Sequence, residues 1–329
     1  MWVLIEHREG EIQEASLETL TEARRLANKL KREVSALVLG AGGEATAFAD
    51  TLAQVGAQKV LAVQHELLTS YSTEAYTAAL AQLIHSRQPE TFLLAATALG
   101  RDLAPRLAAR LQTSLVSDCT VLDINAQGSL ELTHPSCCGR VYVTTTSPGV
   151  KPQMASLRPG VLGVGKPLRG RKAAVEEVAV ELAPAQVRTR SLGIGVVDRK
   201  LLDITEADTV LAIGRGPGNR ELVPQFDTLA GMLNASLAGS RAAVDERFLT
   251  FERQIGRTGK LISPKFIICC GISGAQQFTM GMRDSKFIVA VNNDKNAPIF
   301  KLADVSVLGD LETLVPELIK QMQTAQAAN

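Results

Sequence analysis

The sequence predicts an α/β protein of two doubly wound parallel-sheet domains, the first carrying an added antiparallel β region and the second a Rossmann-like one. Three observations lead there. Apolar strand-like runs alternate with amphipathic helical runs up to residue 96, short Gly- and Pro-punctuated segments take over at Asp118, and the alternation resumes after residue 205. At 329 residues the chain is long for one core, and the expected boundary separates residues 1–195 from 196–329.

The first strand is Trp2-Val3-Leu4-Ile5, and further apolar runs lie at 34–39, 59–63 and 91–96. Leu17, Leu20, Ala23, Ala27 and Leu30 share one helical face, with Glu22, Arg24, Arg25 and Lys31 largely opposite and Ser16 placed as the N-cap. Tyr76, Leu80 and Leu83 mark the apolar side of a later helix. From Asp118 to about Pro184, alternating segments such as Val141-Tyr142-Val143-Thr144-Thr145-Thr146 predict antiparallel strands and hairpins. Residues 183–199 carry charges, a proline and little periodicity, as a linker does. Beyond them the pattern predicts strands at 209–213, 266–270 and 287–291, and helices at 220–233, 273–282 and 311–322.

Composition narrows the function. Hydrophobic residues make up 46% and charged residues 21%, in keeping with a packed core. Thirty-five basic residues against 34 acidic leave a net charge of +1, far from the basic excess that nucleic-acid binding needs, and nothing here favours a membrane surface. The apolar runs, 266–271 among them, are too short to cross a bilayer, and no basic leader precedes the first strand, so a cytoplasmic protein is expected. The five cysteines (Cys119, Cys137, Cys138, Cys269 and Cys270) form no C-x-x-C, and an odd count fits free thiols in a reducing compartment. Cys269 and Cys270, inside a strand-like run, read as small core hydrophobes.

Ligands of open α/β sheets bind beyond the carboxyl ends of the strands. After the strand at 209–213 comes Gly214-Arg215-Gly216-Pro217-Gly218-Asn219, where glycines permit close backbone approach and the arginine can fork onto a phosphate. After 266–270 comes Gly271-Ile272-Ser273-Gly274-Ala275-Gln276-Gln277, opening a helix whose first N–H groups suit an anion, a more specific signal than the first loop, with Ser273 as a plain cap the lesser alternative. Gln254-Ile255-Gly256-Arg257-Thr258-Gly259-Lys260 reads as an anion site or a solvated turn with equal ease. Asn292-Asn293-Asp294 follows the next strand, and such residues cap and turn too often to define a site alone.

Taken in order, Ser240-Arg241-Ala242-Ala243-Val244-Asp245, the 254–260 run, Gly271-Ile272-Ser273-Gly274-Ala275, Gly281-Met282-Arg283-Asp284-Ser285-Lys286 and Asn296-Ala297-Pro298-Ile299-Phe300 resemble the C-terminal domain of electron-transfer flavoprotein alpha subunits. The resemblance reaches the first domain more loosely, through Gly100-Arg101-Asp102-Leu103-Ala104-Pro105 and Lys151-Pro152-Gln153-Met154-Ala155. It implies a heterodimer with a beta subunit and FAD held by this chain. Electrons would arrive from a flavin dehydrogenase, the acyl-CoA dehydrogenase type among them, or from an NADH-reduced partner flavin in a bifurcating complex, and leave to a further acceptor. The FAD contacts it implies are Arg215, Ser240, Arg241, Ile255, Gly256, Arg257, Thr258, Ser273, Gly274, Ala275, Gln276, Gln277, Phe278, Asn292, Asp310 and Leu311. Among them Arg241 would lie near the isoalloxazine, Thr258 near its reactive edge, and Asn292 and Asp310 at the adenosine end.

The chain departs from the family at two of these positions. Phe278 stands where a histidine often donates to the flavin, and Arg257 replaces the usual glutamine with a fixed charge. A lost charged hydrogen bond is worth roughly 1.5–3 kcal/mol, so a shifted one-electron potential is expected without loss of FAD. Two rival readings fit the sequence less well. A nicotinamide-dependent oxidoreductase would want G-x-G-x-x-G after the first strand, but Ile5 leads into Glu6-His7-Arg8-Glu9-Gly10, and His7, His65, His85 and His134 form no catalytic arrangement. A non-redox nucleotide-binding assembly module would not need Arg241, Thr258, Ser273 and Asn292 together.

Overall fold

Leucine, valine and alanine runs buried on both faces become parallel strands in the computed structural model, which describes residues 1–137, 139–189, 191, 193, 203–218 and 220–327. The linker expected at 183–199 falls partly outside the described residues (190, 192 and 194–199), as do Cys138 and Asn219. By internal contacts the chain divides into Met1–Gly193 and Ile194–Asn329.

In the first unit the strands are β1 (Trp2–Ile5), the short hairpin β2 (His7–Arg8) and β3 (Glu11–Ile12), β4 (Ser35–Gly40), β5 (Lys59–Gln64), β6 (Thr91–Ala95), β7 (Leu115–Cys119), β8 (Val121–Ile124), β9 (Leu130–Ser136), β10 (Val141–Thr146), β11 (Gln153–Leu157) and β12 (Ala174–Ala179). Seven of them form a parallel sheet in the order β12-β5-β4-β1-β6-β11-β7. Helices α1 (Glu14–Leu30) and α2 (Glu44–Val55) cover one face through Leu20, Leu26, Phe48 and Leu52. Helices α3 (Thr73–Arg87) and α4 (Ala98–Leu111) cover the other through Leu80, Leu83, Leu103 and Leu107.

Two expectations change here. Among the described residues of 118–184 only β8, β9 and β10 pair antiparallel, whereas β11, β12 and the end of β7 join the parallel sheet. Ser16 is not the cap of α1. The helix begins at Glu14 after Gln13, and the buried Ser16 hydroxyl accepts from the Glu6 N–H at 2.8 Å, tying the helix to the end of β1.

The second unit contains β13 (Thr209–Ile213), α5 (Val223–Met232), β14 (Ser236–Gly239), α6 (Arg241–Asp245), β15 (Phe266–Cys270), α7 (Gln276–Thr279), β16 (Ile288–Asn292), β17 (Val305–Leu308) and α8 (Leu311–Ala327). All five strands are parallel, in the order β14-β13-β15-β16-β17. Strands β14 and β17, which sequence patterning did not reveal, are four residues each and edge the sheet. Helices α5 and α8 cover one face with Phe226, Leu229 and Val315. The opposite face is sealed by side chains from loops and single turns, Ile255, Ile262, Ile272, Phe278 of the short α7, Met282 and Ile299, and not by a second layer of long helices. That loop-built layer is where the site lies.

Candidate functional site

The strand order of the second unit reverses between β13 and β15, which places a crevice at their carboxyl ends. Backbone bonds lace the two loops that begin there. The Gly214 N–H donates to the Cys270 carbonyl at 2.9 Å, and the Gly216 N–H donates to the Gly271 carbonyl at 3.1 Å. A Cβ on Gly216 would stand 2.5 Å from Gly271 Cα, so side chains are barred from this floor. Beneath it the thiols of Cys269 and Cys270 are fully buried, and burial pushes Cys270 up to about 12, which keeps it protonated and inert.

Above the floor opens a cleft of about 780 Å³, within the range of roughly 300–1,000 Å³ common for small-molecule sites. Successive strand ends supply its walls. Arg215 follows β13, and Ser240, Arg241 and Ala242 follow β14. Ile255, Arg257 and Thr258 enter from the next loop, Ser273, Ala275, Gln277 and Phe278 follow β15, and Asn292, Asn293 and Asp294 follow β16. Eleven of the residues expected from sequence are therefore brought together around one space.

The remaining five stand elsewhere. Gly256, Gly274 and Gln276 lie within the same turns without lining the cleft. Gly256 has φ +124°, and a Cβ there would stand 2.4 Å from the Gln277 carbonyl. Its neighbour, the Arg257 N–H, donates to that carbonyl at 2.7 Å, so the glycine lets two walls join. Gly274 has φ +87° and leaves room for Ile299, whose N–H donates to the Ser273 carbonyl at 3.1 Å. Asp310 instead serves α8, its Oδ1 accepting from the Glu312 N–H at 3.2 Å, and Leu311 is buried with the helices of the opposite face.

Gly214, Gly216, Ala242, Gly271, Ile272, Asn293, Asp294 and Ala297 also line the cleft; the sequence motifs contain them, but they were not among the expected FAD contacts. The signal for most of them was their place immediately after a parallel strand.

The helix expected at 273–282 is a single turn, Gln276–Thr279, because Gly274 at positive φ interrupts it. A macrodipole is thus not the source of anion affinity. Individual donors are. The N–H groups of Ser273, Gly274, Ala275, Gln276 and Gln277 reach no backbone acceptor among the described residues. Arg215 and Arg257 are exposed and form no ion pair or side-chain hydrogen bond among the described residues. Arg241 Nε lies 3.6 Å from Asp245 Oδ2, both side chains open to solvent. Three lining arginines against the single carboxylate of Asp294 make the cleft positive.

Other lining groups are already spent on structure. The buried Asn292 donates from Nδ2 to the Ile272 carbonyl at 2.9 Å, and its Oδ1 accepts from the Asp294 N–H at 2.9 Å, so its amide joins two loops. Ser240 caps α6 through the Ala243 N–H at 3.4 Å. Phe278 is only 5% exposed, and its ring belongs to the apolar layer with Ile255, Met282 and Ile299 while closing the edge of the cleft. A histidine here would bury an imidazole, so Phe278→His perturbs packing together with any potential.

Residues 1–183 match the electron transfer flavoprotein domain, and residues 203–283 match the electron transfer flavoprotein FAD-binding domain. The chain belongs to the electron transfer flavoprotein family. It is 42% identical to "Protein FixB" of Clostridium saccharobutylicum, covering 98% of this chain and 95% of the relative. It is 40% identical to the electron transfer flavoprotein subunit alpha of Clostridium acetobutylicum, covering 99% and 97%. The acryloyl-CoA reductase electron transfer subunit beta of Anaerotignum propionicum is 33% identical over 100% of this chain and 96% of its own.

As an alpha-type electron transfer flavoprotein subunit, the chain uses FAD and works with a beta-type subunit and electron-transfer partners. The residues present fit that cofactor: a side-chain-free glycine floor and, among the described residues, N–H donors without backbone acceptors and two arginines without ion pairs are what a dinucleotide phosphate and a polar ring edge require. When bound, FAD supplies the one- and two-electron chemistry. The protein's part is to bind it, orient its ring and set the charge around it.

The 254–260 loop is anchored by Lys260, whose Nζ donates to Asp203 Oδ2 at 2.8 Å. Burial alone would raise the Asp203 carboxyl, but Lys260 and the N–H and hydroxyl of Thr205 outweigh it and hold the pKa below the ordinary aspartate value. A depressed carboxyl stabilises the fold fully above its unfolded pKa, about 4, and the contribution is lost as pH falls through the folded value. With the Asp203 side chain 47% exposed, the anchor is worth little individually. Asp203→Asn should therefore speed FAD dissociation at neutral pH by roughly two- to fivefold and flatten the dissociation step below about pH 4, both read by flavin fluorescence.

Proposed function

We propose that this subunit holds one FAD in the cleft of its second unit and relays electrons from a flavin dehydrogenase of the acyl-CoA type to a separate acceptor. The observation that carries the reading is the convergence, at one topological switch point, of a bare glycine floor with N–H donors and two arginines that have no partner among the described residues. Residues 196–329 form the FAD-binding domain in this reading, and residues 1–195 the scaffold for the beta-type subunit. The eleven lining residues contact the flavin or its phosphates, and Gly256, Gly274 and Gln276 shape the turns that hold them. Asp310 and Leu311 meet FAD only where its adenosine end runs on toward α8. The acyl-CoA assignment is supported by the relative named for acryloyl-CoA reductase. Free thiols at Cys119, Cys137, Cys269 and Cys270 support a cytoplasmic setting, and no helix among the described residues is long and apolar enough to cross a membrane.

The test is the complex co-purified with its beta-type partner. FAD content is counted, and anaerobic bleaching of the flavin band is followed with an acyl-CoA dehydrogenase and its substrate, and separately with NADH. Bleaching through the dehydrogenase is expected. Bleaching by NADH alone, with two FAD per heterodimer, would move the protein to the electron-splitting members of the family. A complex that stays colourless after FAD reconstitution would sink the reading.

A further inference from the structure

Gln254 lies behind the cleft, outside the lining, and is only 3% exposed. Its backbone is pinned from both sides. Its N–H donates to the Phe251 carbonyl at 3.0 Å, and its carbonyl accepts from the Lys260 N–H at 2.8 Å. Gly259 is required for this closure, since a Cβ there would stand 2.2 Å from the Gln254 carbonyl oxygen. One side-chain hydrogen bond leaves the residue, from Nε2 to Thr258 Oγ1 at 2.8 Å. Thr258 is exposed, lines the cleft, and its hydroxyl donates to nothing among the described residues.

We propose that Gln254 is a positioning residue, whose buried carboxamide sets the direction of the Thr258 hydroxyl proton and so decides whether the cleft presents a donor or an acceptor there. The inference rests on reading the cleft as the flavin site. With Nε2 donating to Oγ1, the hydroxyl proton cannot point back at the amide and is left for a bound group. Turned over, the same amide presents its oxygen, takes the hydroxyl proton, and leaves a lone pair of Oγ1 facing the cleft. The two arrangements would match the two demands of a flavin bound with a ring nitrogen at Thr258. That nitrogen would accept while the ring is oxidised, and would donate as an N–H once the ring had gained two electrons from the donor dehydrogenase and one proton from solvent. A neutral amide serves both states, whereas a charged or apolar residue at 254 serves one or neither. The main chain, fixed on both sides, keeps the exchange local to the end of one side chain.

The experiment is a double-mutant cycle in the holo-heterodimer: Gln254→Met alone, Thr258→Val alone, and both. FAD stoichiometry, apo-protein Tm and midpoint potential are measured for each. Gln254→Met should retain FAD and change the ratio of affinities for oxidised and reduced flavin by about three- to tenfold, the scale of one neutral hydrogen bond. For a two-electron couple that is a potential shift of about 15–30 mV. In the Thr258→Val background the same change should vanish, because the amide acts through that hydroxyl. A merely structural glutamine would lower Tm and leave the potential alone. An unchanged potential in Gln254→Met with FAD bound, or an equal shift with and without Thr258, overturns the inference while the cleft reading stands. A wild-type complex that takes up no FAD removes both. Should the methionine variant fail to fold, Gln254→Asn withdraws the amide by one methylene and carries the same cycle.

Discussion

Gly256→Ala should strip FAD from the protein and destabilise the second unit, whereas Gly231→Ala should do neither. At Gly256, φ is +124°, and an added Cβ would meet the Gln277 carbonyl at 2.4 Å, Phe278 Cα at 3.2 Å and the Gln277 carbonyl carbon at 3.3 Å. All three are backbone atoms or attached to them, so no flexible side chain can swing aside. Holding a residue with a side chain at such a φ costs on the order of 1–3 kcal/mol, and forcing packed backbone apart costs about as much again. The contact displaced is also the one that closes the cleft, because the Arg257 N–H holds the same carbonyl. Binding and stability should fall together, with Tm lower by roughly 8 °C or more. Gly231 sits in α5 at ordinary helical φ, and nothing lies within 4 Å of its added Cβ. There alanine removes only the conformational freedom of glycine, and a gain of roughly 0.5–1 kcal/mol is expected. Thermal unfolding of both apo variants, with FAD titration by fluorescence quenching, checks the contrast. Equal behaviour of the two would mean that the 254–260 loop yields to a Cβ.

What the sequence allowed, and where it failed, follows from how locally each feature is encoded. Buried strands such as Trp2–Ile5 and Phe266–Cys270 announce themselves as dense apolar runs, because parallel strands covered on both faces need no polar alternation. Edge strands do not. Residues Val305–Leu308 are mostly exposed, with a serine in the middle, and their pairing to β16 is decided by the sheet and not by their own pattern. Helix α4 was hidden for another reason: it contains Gly100 and Pro105, two residues that end helices elsewhere. Gly100 is tolerated because an added Cβ would stand 1.8 Å from the Ala95 carbonyl oxygen, so the helix needs a bare residue to approach its strand.

The site was legible residue by residue but not in its architecture. Glycine-rich loops after strands indicate where a ligand could bind. That the floor is closed by backbone pairing of Gly216 with Gly271 depends on strand order, which no local motif encodes. Asp310 shows the limit from the other side: no local pattern tells that one of its carboxylate oxygens holds the first turn of α8. Gln254 stands in the sequence only as the first residue of a motif, since burial and a single hydrogen bond to a neighbour leave no trace in composition.

Arg215→Ala combined with Arg257→Ala should weaken FAD binding by roughly 100-fold or more while leaving the apo-protein as stable as before. The two effects separate because neither guanidinium has a partner to lose among the described residues. Both side chains are exposed and make no ion pair or side-chain hydrogen bond among the described residues, so truncation leaves no buried group unsatisfied. In the complex each can donate to a phosphate or a ring oxygen, and a hydrogen bond of that charged kind is worth about 1.5–3 kcal/mol. Two together amount to roughly 3–6 kcal/mol if independent, a factor of about 100 or more in Kd. Arg241 is a poorer choice for the same test, because its removal also frees Asp245, 3.6 Å away, and brings an uncompensated carboxylate to the rim of the cleft. Salt supplies the second readout. Exposed cations facing an anion are screened over about 10 Å at 0.1 M ionic strength, so FAD affinity of the native protein should fall as salt rises, and the double variant should lose most of that dependence. If affinity drops without any change in salt sensitivity, the arginines shape the loops and do not face the phosphates. If Tm drops in parallel, they hold the fold in a way their exposed positions do not suggest.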